Sequence, residues 1–283
     1  MTPNRQPPAA MSIDVEDWFQ VENLKAVVER SSWSERELRV QRNTERMLER
    51  LDERGIKCTF FCLGWVAERV PQLVQRIADA GHELASHGSE HDLVYNLSPE
   101  RFRQDVGRCK SLLEDLAGCP VRGYRAPSFS ITEWAIDELQ ELGFAFDSSA
   151  FPTVAHDRYG KLEGLNPRTI VSELRPGLHE VSISCLWLGG RGLPWGGGGY
   201  FRLLPYLLFR RGVRHILAAG CPYVFYIHPW ELDPGQPRLA GMSRGHAFRH
   251  YLNLERCEQR WTRLLDDFQW TSVGDLLDRC LAA

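Results

Sequence analysis

Short apolar runs and stretches of helical spacing alternate along almost the whole chain. Residues 10–15 read as a first strand that runs into an acidic turn. Over 43–53, Met47, Leu48 and Leu51 share a helical face, and Gly55 is placed to end that helix. Residues 56–63 form an apolar run of strand length, the pattern of a strand buried on both faces. Pro71 suits the first turn of a helix that reaches about Ala80 and stops at Gly81, and 82–86 is a short strand. Ser98-Pro99 opens a helix with Phe102, Val106, Cys109 and Leu113 along one side, and 121–125 is again extended. Thr132 is placed to cap a helix closed by Gly143, after which 144–146 starts another strand. Strands over 180–187 and 223–228 flank a flexible glycine loop, 196–199, and a helix from about Leu203 to Ala219. One long helix over about 246–268, a strand at Trp270 and a helix from Ser272 close the chain. This alternation predicts a mainly parallel α/β architecture. There is no internal repeat and no linker, so the expectation is a disordered leader over 1–10 and one catalytic-sized domain over 11–283.

Composition narrows this only a little. With 43% hydrophobic and 25% charged residues and a net charge of -3, the chain has ordinary globular character and no basic excess that would call for nucleic acid. No window approaches the ~20 apolar residues of a membrane span, and residues 1–10 lack the apolar core of a signal peptide. The expected location is cytoplasmic, with the inner face of the membrane as the alternative. The eight cysteines are scattered without a C-x-x-C pair and read as reduced, structural thiols.

Three clusters carry chemistry, each just after a predicted strand, where the loops of an α/β barrel converge on one mouth. Asp14-Val15-Glu16-Asp17 packs three carboxylates into four residues, a repulsion that a cation relieves. His87 and His91, four apart, reach one metal if the segment turns helically. His228 ends the apolar strand Phe225-Tyr226-Ile227 and is followed by Pro229-Trp230-Glu231, which places a carboxylate near a candidate general acid. Two histidines and a carboxylate for a divalent metal, a second carboxylate as base and a separate histidine to protonate the departing amine make a consistent amide hydrolase.

The order acidic turn, H-x-x-x-H, Arg125-Ala126-Pro127, Asp147-Ser148, late histidine resembles that of the polysaccharide deacetylases, which share the chitooligosaccharide-deacetylase (NodB-like) domain. The resemblance spans Ile13 to about Glu231. It implies a distorted (β/α) barrel of seven or eight mainly parallel strands and a divalent metal, usually zinc and sometimes cobalt. It also implies roles: Asp14 as base, His87 and His91 as metal ligands, Arg125 orienting the base, the Ser128 backbone N–H stabilising the oxyanion, and His228 as acid. Asp-Val-Glu-Asp-Trp departs from the common first motif toward the allantoinase-like and peptidoglycan-deacetylase branch, leaving the metal carboxylate open between Glu16 and Asp17. His228-Pro229-Trp230-Glu231 also departs, leaving the partner of His228 open between Asp147 and Glu231. The strings around Asp14, Tyr124, Tyr200, His228 and Arg249 look like the deacetylases of exopolysaccharide loci associated with PEP-CTERM sorting. The implied substrate is an N-acetylated glycan or a lipid-linked sugar precursor.

Trp18, Tyr124, Trp195, Tyr200 and Trp230 are loop aromatics that either stack on sugar or pack the rim, and the glycine loop is read as a gate. His82, His156, His179, His215, His246 and His250 read as structural or solvated, and Arg210, Arg211 and Arg214 as a solvated basic face. Two rivals stand beside the deacetylase: an allantoinase-like amidohydrolase for a small cyclic amide, and a non-catalytic glycan-binding module.

Overall fold

The computed structural model describes residues 7–153, 159–160 and 162–282, so His156 and residues 1–6 of the expected leader lie outside the described residues. The remainder of that leader is partly structural: Ala9 and Ala10 belong to strand β1 (Ala9–Val15), which is buried along its whole length. Helix α1 (Val40–Asp52) begins three residues before the expected start. Its opening N–H groups, from Arg39 and Val40, are taken up by the distant carboxylate of Asp17, a cap that helical periodicity does not reveal. After β2 (Thr59–Cys62) come α2 (Gly64–Arg69) and α3 (Pro71–Asp79). The six-residue α2, unforeseen, is too short to show a period. Next are β3 (Glu83–Ser86) and α4 (Pro99–Ala117), the latter capped by the Ser98 hydroxyl accepting from the Arg101 N–H. Then follow β4 (Gly123–Tyr124), α5 (Glu133–Glu141) and β5 (Phe146–Asp147). Thr132 precedes α5 as expected, but its hydroxyl makes no capping hydrogen bond.

The second half departs more from expectation. A hairpin, β6 (Val171–Arg175) and β7 (Leu178–Val181), precedes a second hairpin, β8 (Cys185–Leu188) and β9 (Arg191–Pro194), where one strand over 180–187 was expected. Helices α6 (Gly198–Leu203) and α7 (Tyr206–Ala218) lead to β10 (Tyr223–Ile227). The long C-terminal helix is two, α8 (Arg244–Tyr251) and α9 (Leu254–Asp267), because Asn253 between them has φ 53°. β11 (Trp270–Thr271) and α10 (Val273–Leu281) end the chain.

The strands lie in the order β10-β1-β2-β3-β4-β5-β7-β6, with β11 also against β1. All seven from β10 to β7 run parallel; only β6 is antiparallel to its neighbour. The sheet curls into a half-barrel covered by helices, the distorted (β/α) barrel expected. Parallel pairing puts the C-terminal ends of these strands on one edge, so the residues following β1, β3, β4 and β10 meet there. Two buried apolar clusters, one from Ala9 to Leu265 and one from Ala10 to Leu277, each join both halves of the chain. All eight cysteines are unpaired.

The glycine run is not a slack gate. A side chain at Gly197 would meet the Tyr226 ring at 2.6 Å, and one at Gly198 would fall 2.1 Å from Glu231 Oε1. The glycines allow the chain to pass directly over β10 and the carboxylate beyond it.

Candidate active site

Asp14 sits near the end of β1 with its side chain buried. Arg125, following β4, donates from Nη1 to Asp14 Oδ1 at 2.6 Å. The same guanidinium is held by Ser12 Oγ at 2.8 Å, Ser148 O at 2.9 Å and Ser148 Oγ at 2.8 Å, and is fully buried. Ser12, which the sequence did not single out, and Ser148, which it gave no role within Asp147-Ser148, therefore fix the arginine that fixes the carboxylate. Their signal was faint: a serine two before Asp14, and the first serine of Asp147-Ser148-Ser149.

Glu16 lies one turn beyond Asp14, close to both histidines. Ligand atoms of Glu16, His87 and His91 all lie within 4.8 Å of one another. His87 Nδ1 donates to the Arg125 carbonyl at 2.8 Å, which leaves the lone pair on Nε2. The histidines do not converge by a helical turn. Gly88 and His91 both take positive φ, 72° and 56°, and the loop between them is pinned by Asp105 of α4 accepting from the Ser89 N–H at 2.8 Å. A non-glycine residue in the left-handed region carries strain that its surroundings must hold. Glu16 Oε2 is buried and faces His91 Nε2 at 2.6 Å. Trp230 Nε1 donates to the other oxygen at 3.3 Å. Burial opposes ionisation of Glu16, but His91, His228 and His87 outweigh it and bring the carboxyl down to about 2. Burial also drives His87 down to about 4, which keeps it neutral as a ligand must be.

Asp17, the alternative metal carboxylate, is not brought to this cluster. Its oxygens accept the N–H groups of Trp18, Arg39 and Val40 at 2.7–2.9 Å, so it serves the start of α1. Burial raises its pKa to about 6 in spite of those donors.

On the opposite side, His228 follows β10. Its Nδ1 lies 2.8 Å from Glu231 Oε1, and its Nε2 faces Glu16 Oε1 at 3.4 Å and Asp14 Oδ2 at 3.8 Å. Burial alone would lower its pKa; Glu16 first, then Glu231 and Asp14, outweigh it and raise it to about 9. A cation held by Glu16 would weaken that first pull. Glu231 is the partner of His228. Asp147, the other candidate, instead accepts from Ser149 Oγ and faces Glu180 in a buried carboxyl pair behind Arg125. Sequence places Arg202 in the string around Tyr200 but gives it no role; its Nε donates to Glu231 Oε2 at 2.6 Å while its Nη atoms reach the carbonyls of Arg249, His250 and Leu252.

Asp14, Glu16, His87, His91, His228 and Glu231 line a half-open cavity of about 340 Å³, with Arg125 behind Asp14. Ser128 lines it too; Ser128 and Phe129 take positive φ, 52° and 58°, and the Ser128 N–H has no internal acceptor among the described residues. Of the five loop aromatics only Tyr200 and Trp230 line the cavity. Trp18, Tyr124 and Trp195 are core residues, while Phe129, Phe151 and Tyr226 form an apolar wall that sequence did not point to. His250 stacks on Trp230 at 4.5 Å and is structural, as expected.

Residues 35–146 match the family model described as polysaccharide deacetylase, and residues 148–278 match a domain of unknown function (DUF3473). Over 120 residues, 37% of this chain, it is 28% identical to a peptidoglycan-N-acetylglucosamine deacetylase of Bacillus cereus, covering 44% of that protein. Over 106 residues, again 37% of the chain, it is 36% identical to a peptidoglycan deacetylase-like protein of Gibberella zeae, covering 31% of it. The chain thus spans less than half the length of these curated relatives. A solved structure from Mycobacterium smegmatis, assigned to the polysaccharide deacetylases, superposes with a TM-score of 0.63 at 21% identity, covering 100% of this chain and 92% of that one. A pseudoenzyme of the CE4 family from Bacillus anthracis superposes with a TM-score of 0.53 at 14% identity, covering 97% of this chain and 66% of that one. At these identities the two structures show likeness of fold.

Proposed function

We propose that this chain, whose residues 35–146 match the polysaccharide deacetylase model, is a hydrolase that removes N-acetyl groups from a glycan or its lipid-linked precursor. One observation carries this: Asp14, Arg125, Glu16, His87, His91 and His228, distant in sequence, meet around one cavity. A non-catalytic glycan-binding module has no use for that convergence. The half-open cavity with Tyr200, Tyr226 and Trp230 in its wall suits a sugar better than a small cyclic amide.

The donor set fits a divalent cation. Two imidazoles and a carboxylate whose buried oxygen faces one of them at 2.6 Å are the ligand types zinc takes in catalytic sites that keep positions open, and cobalt accepts the same set. His87, His91 and Glu16 would hold the ion, which when bound supplies Lewis acidity toward the acetyl carbonyl and the attacking water. Asp14, oriented by Arg125, takes the proton of that water. The free N–H of Ser128 is available to the developing oxyanion. His228, its Nδ1–H held by Glu231, delivers a proton from Nε2 to the amide nitrogen, so that a free amine and acetate leave. The strings shared with exopolysaccharide-locus deacetylases make an extracellular polysaccharide the favoured destination of the product.

Acetate release from N-acetylglucosamine oligosaccharides by the zinc-loaded chain tests this reading. Asp14→Asn should lower kcat by about 10²–10⁴. Undiminished turnover in that variant would remove Asp14 from the role of base.

A further inference from the structure

Charge is unevenly spread. Between Val181 and Leu254 the chain has eight arginines and only two acidic residues, Glu231 and Asp233, in a protein of net charge -3. Both of those carboxylates are buried, at 1% and 5% exposure. The surface made by this stretch therefore presents cations without exposed acidic residues of its own. The same stretch holds six of the nine large hydrophobic residues exposed among the described residues. Leu203 and Phe248, at 47% and 57% exposure, line the cavity, and Leu207 and Leu208, at 65% and 49%, follow Leu203 in the first turn of α7 just beyond Pro205. Arg249, also lining the cavity, and Arg211, one turn further along α7, are exposed beside them.

We propose that this rim is a membrane-docking face that binds an anionic lipid surface and turns the cavity mouth toward sugars anchored in it. Leucine and phenylalanine side chains gain by entering the headgroup boundary, and arginines are attracted to anionic headgroups; the surface offers both in one place. A soluble polyanion would use the arginines but leave the leucines in water. A second copy of the chain would set arginine against arginine. No helix among the described residues is long and apolar enough to cross a membrane. What the surface delivers rests on the deacetylase reading, but whether it binds lipid does not.

The test is co-sedimentation of the full chain with vesicles of phosphatidylcholine and phosphatidylglycerol, against phosphatidylcholine alone, at low and high salt. The wild type should favour the anionic vesicles by about tenfold or more and lose that preference in high salt. Leu207→Ser/Leu208→Ser should weaken binding by about tenfold, and Arg211→Gln by about fivefold. All three positions are exposed and outside the catalytic groups, so acetate release from soluble oligosaccharides should stay at the wild-type rate. Failure of the wild type to bind anionic vesicles overturns the proposal. So does binding that ignores the leucine pair and is fully displaced by a soluble anionic polysaccharide. A lipid-free dimer abolished by Leu207→Ser/Leu208→Ser would likewise replace the membrane with a second copy of the chain.

Discussion

Each side of the catalytic cleft is built on a buried arginine, and the two differ in how far the arginine stands from the chemistry. Arg125 pairs with Asp14, the carboxylate that would itself take the proton. Arg202 pairs with Glu231, which in turn holds His228, so it acts through two links. Their anchors differ as well. Arg125 is tied to Ser12 of β1 and to Ser148 just after β5, groups fixed by the sheet. Arg202 is tied to the free carbonyls at the end of α8, where a helix terminus leaves acceptors unpaired and favours a cation. The sheet thus positions Asp14, the proposed base, and a helix end in the second half of the chain positions His228, the proposed acid. Sequence motifs assign roles throughout the first arrangement; in the second they name His228 and Glu231 but give Arg202 no role.

The largest effects should come from breaking these two arginines. Arg125→Met leaves Asp14 unpaired in a buried site. It should cost about 3–5 kcal/mol of stability and lower kcat by about 10³, read by thermal unfolding and acetate release. Arg202→Met should lower kcat by about 10–100-fold with little change in KM, because His228 loses its orientation and the substrate loses no contact. Arg202→Lys should not restore it, since an ammonium cannot span three carbonyls and a carboxylate in one plane. Equal losses in the two Met variants would erase the difference between direct and relayed support.

A smaller effect separates Glu16 from Asp17, adjacent in sequence and assigned different work by the structure. Asp17→Ala should cost about 1–2 kcal/mol through loss of the α1 cap and leave metal binding unchanged. Loss of metal in that variant would return Asp17 to the ligand set.

The smallest effect concerns the carboxyl pair behind Arg125. Asp147 Oδ2 and Glu180 Oε2 are both buried without another partner, and burial raises Asp147 from 3.8 to about 6 and Glu180 well above its usual range. An acid whose pKa is raised by folding stabilises the fold while protonated, relative to its ionised state. The wild type should therefore lose stability as pH rises from near 4 to about 6 through the Asp147 transition. In Glu180→Gln the share of that proton linkage carried by Glu180 itself is gone, so the loss should shrink. Parallel melting curves against pH would show that the pair is not proton-linked to folding.

The legible part of the molecule follows from this contrast. Asp14, His87, Arg125 and His228 could be found because parallel strands deliver consecutive short motifs to one edge. Glu16 could be found but not told from Asp17, since only the packing of α1 decides which carboxylate turns inward. The approach of His91 depends on a positive-φ loop pinned by Asp105, not on helical spacing. Arg202 is hidden because nothing near Tyr200-Phe201 signals that α8 will end beside it. The glycine run read as a gate because close approach to Glu231 is a tertiary fact that composition does not carry.

The central claim is that Glu16, His87 and His91 form a divalent metal centre between the two arginine-held sides, and metal content per folded chain tests it most directly. After zinc is supplied and excess removed, the wild type, Asp14→Asn and Asp17→Ala should each retain about one ion, and His87→Ala/His91→Ala should retain none. A wild type that takes up no zinc or cobalt, or a double variant that keeps its ion, would contradict the account.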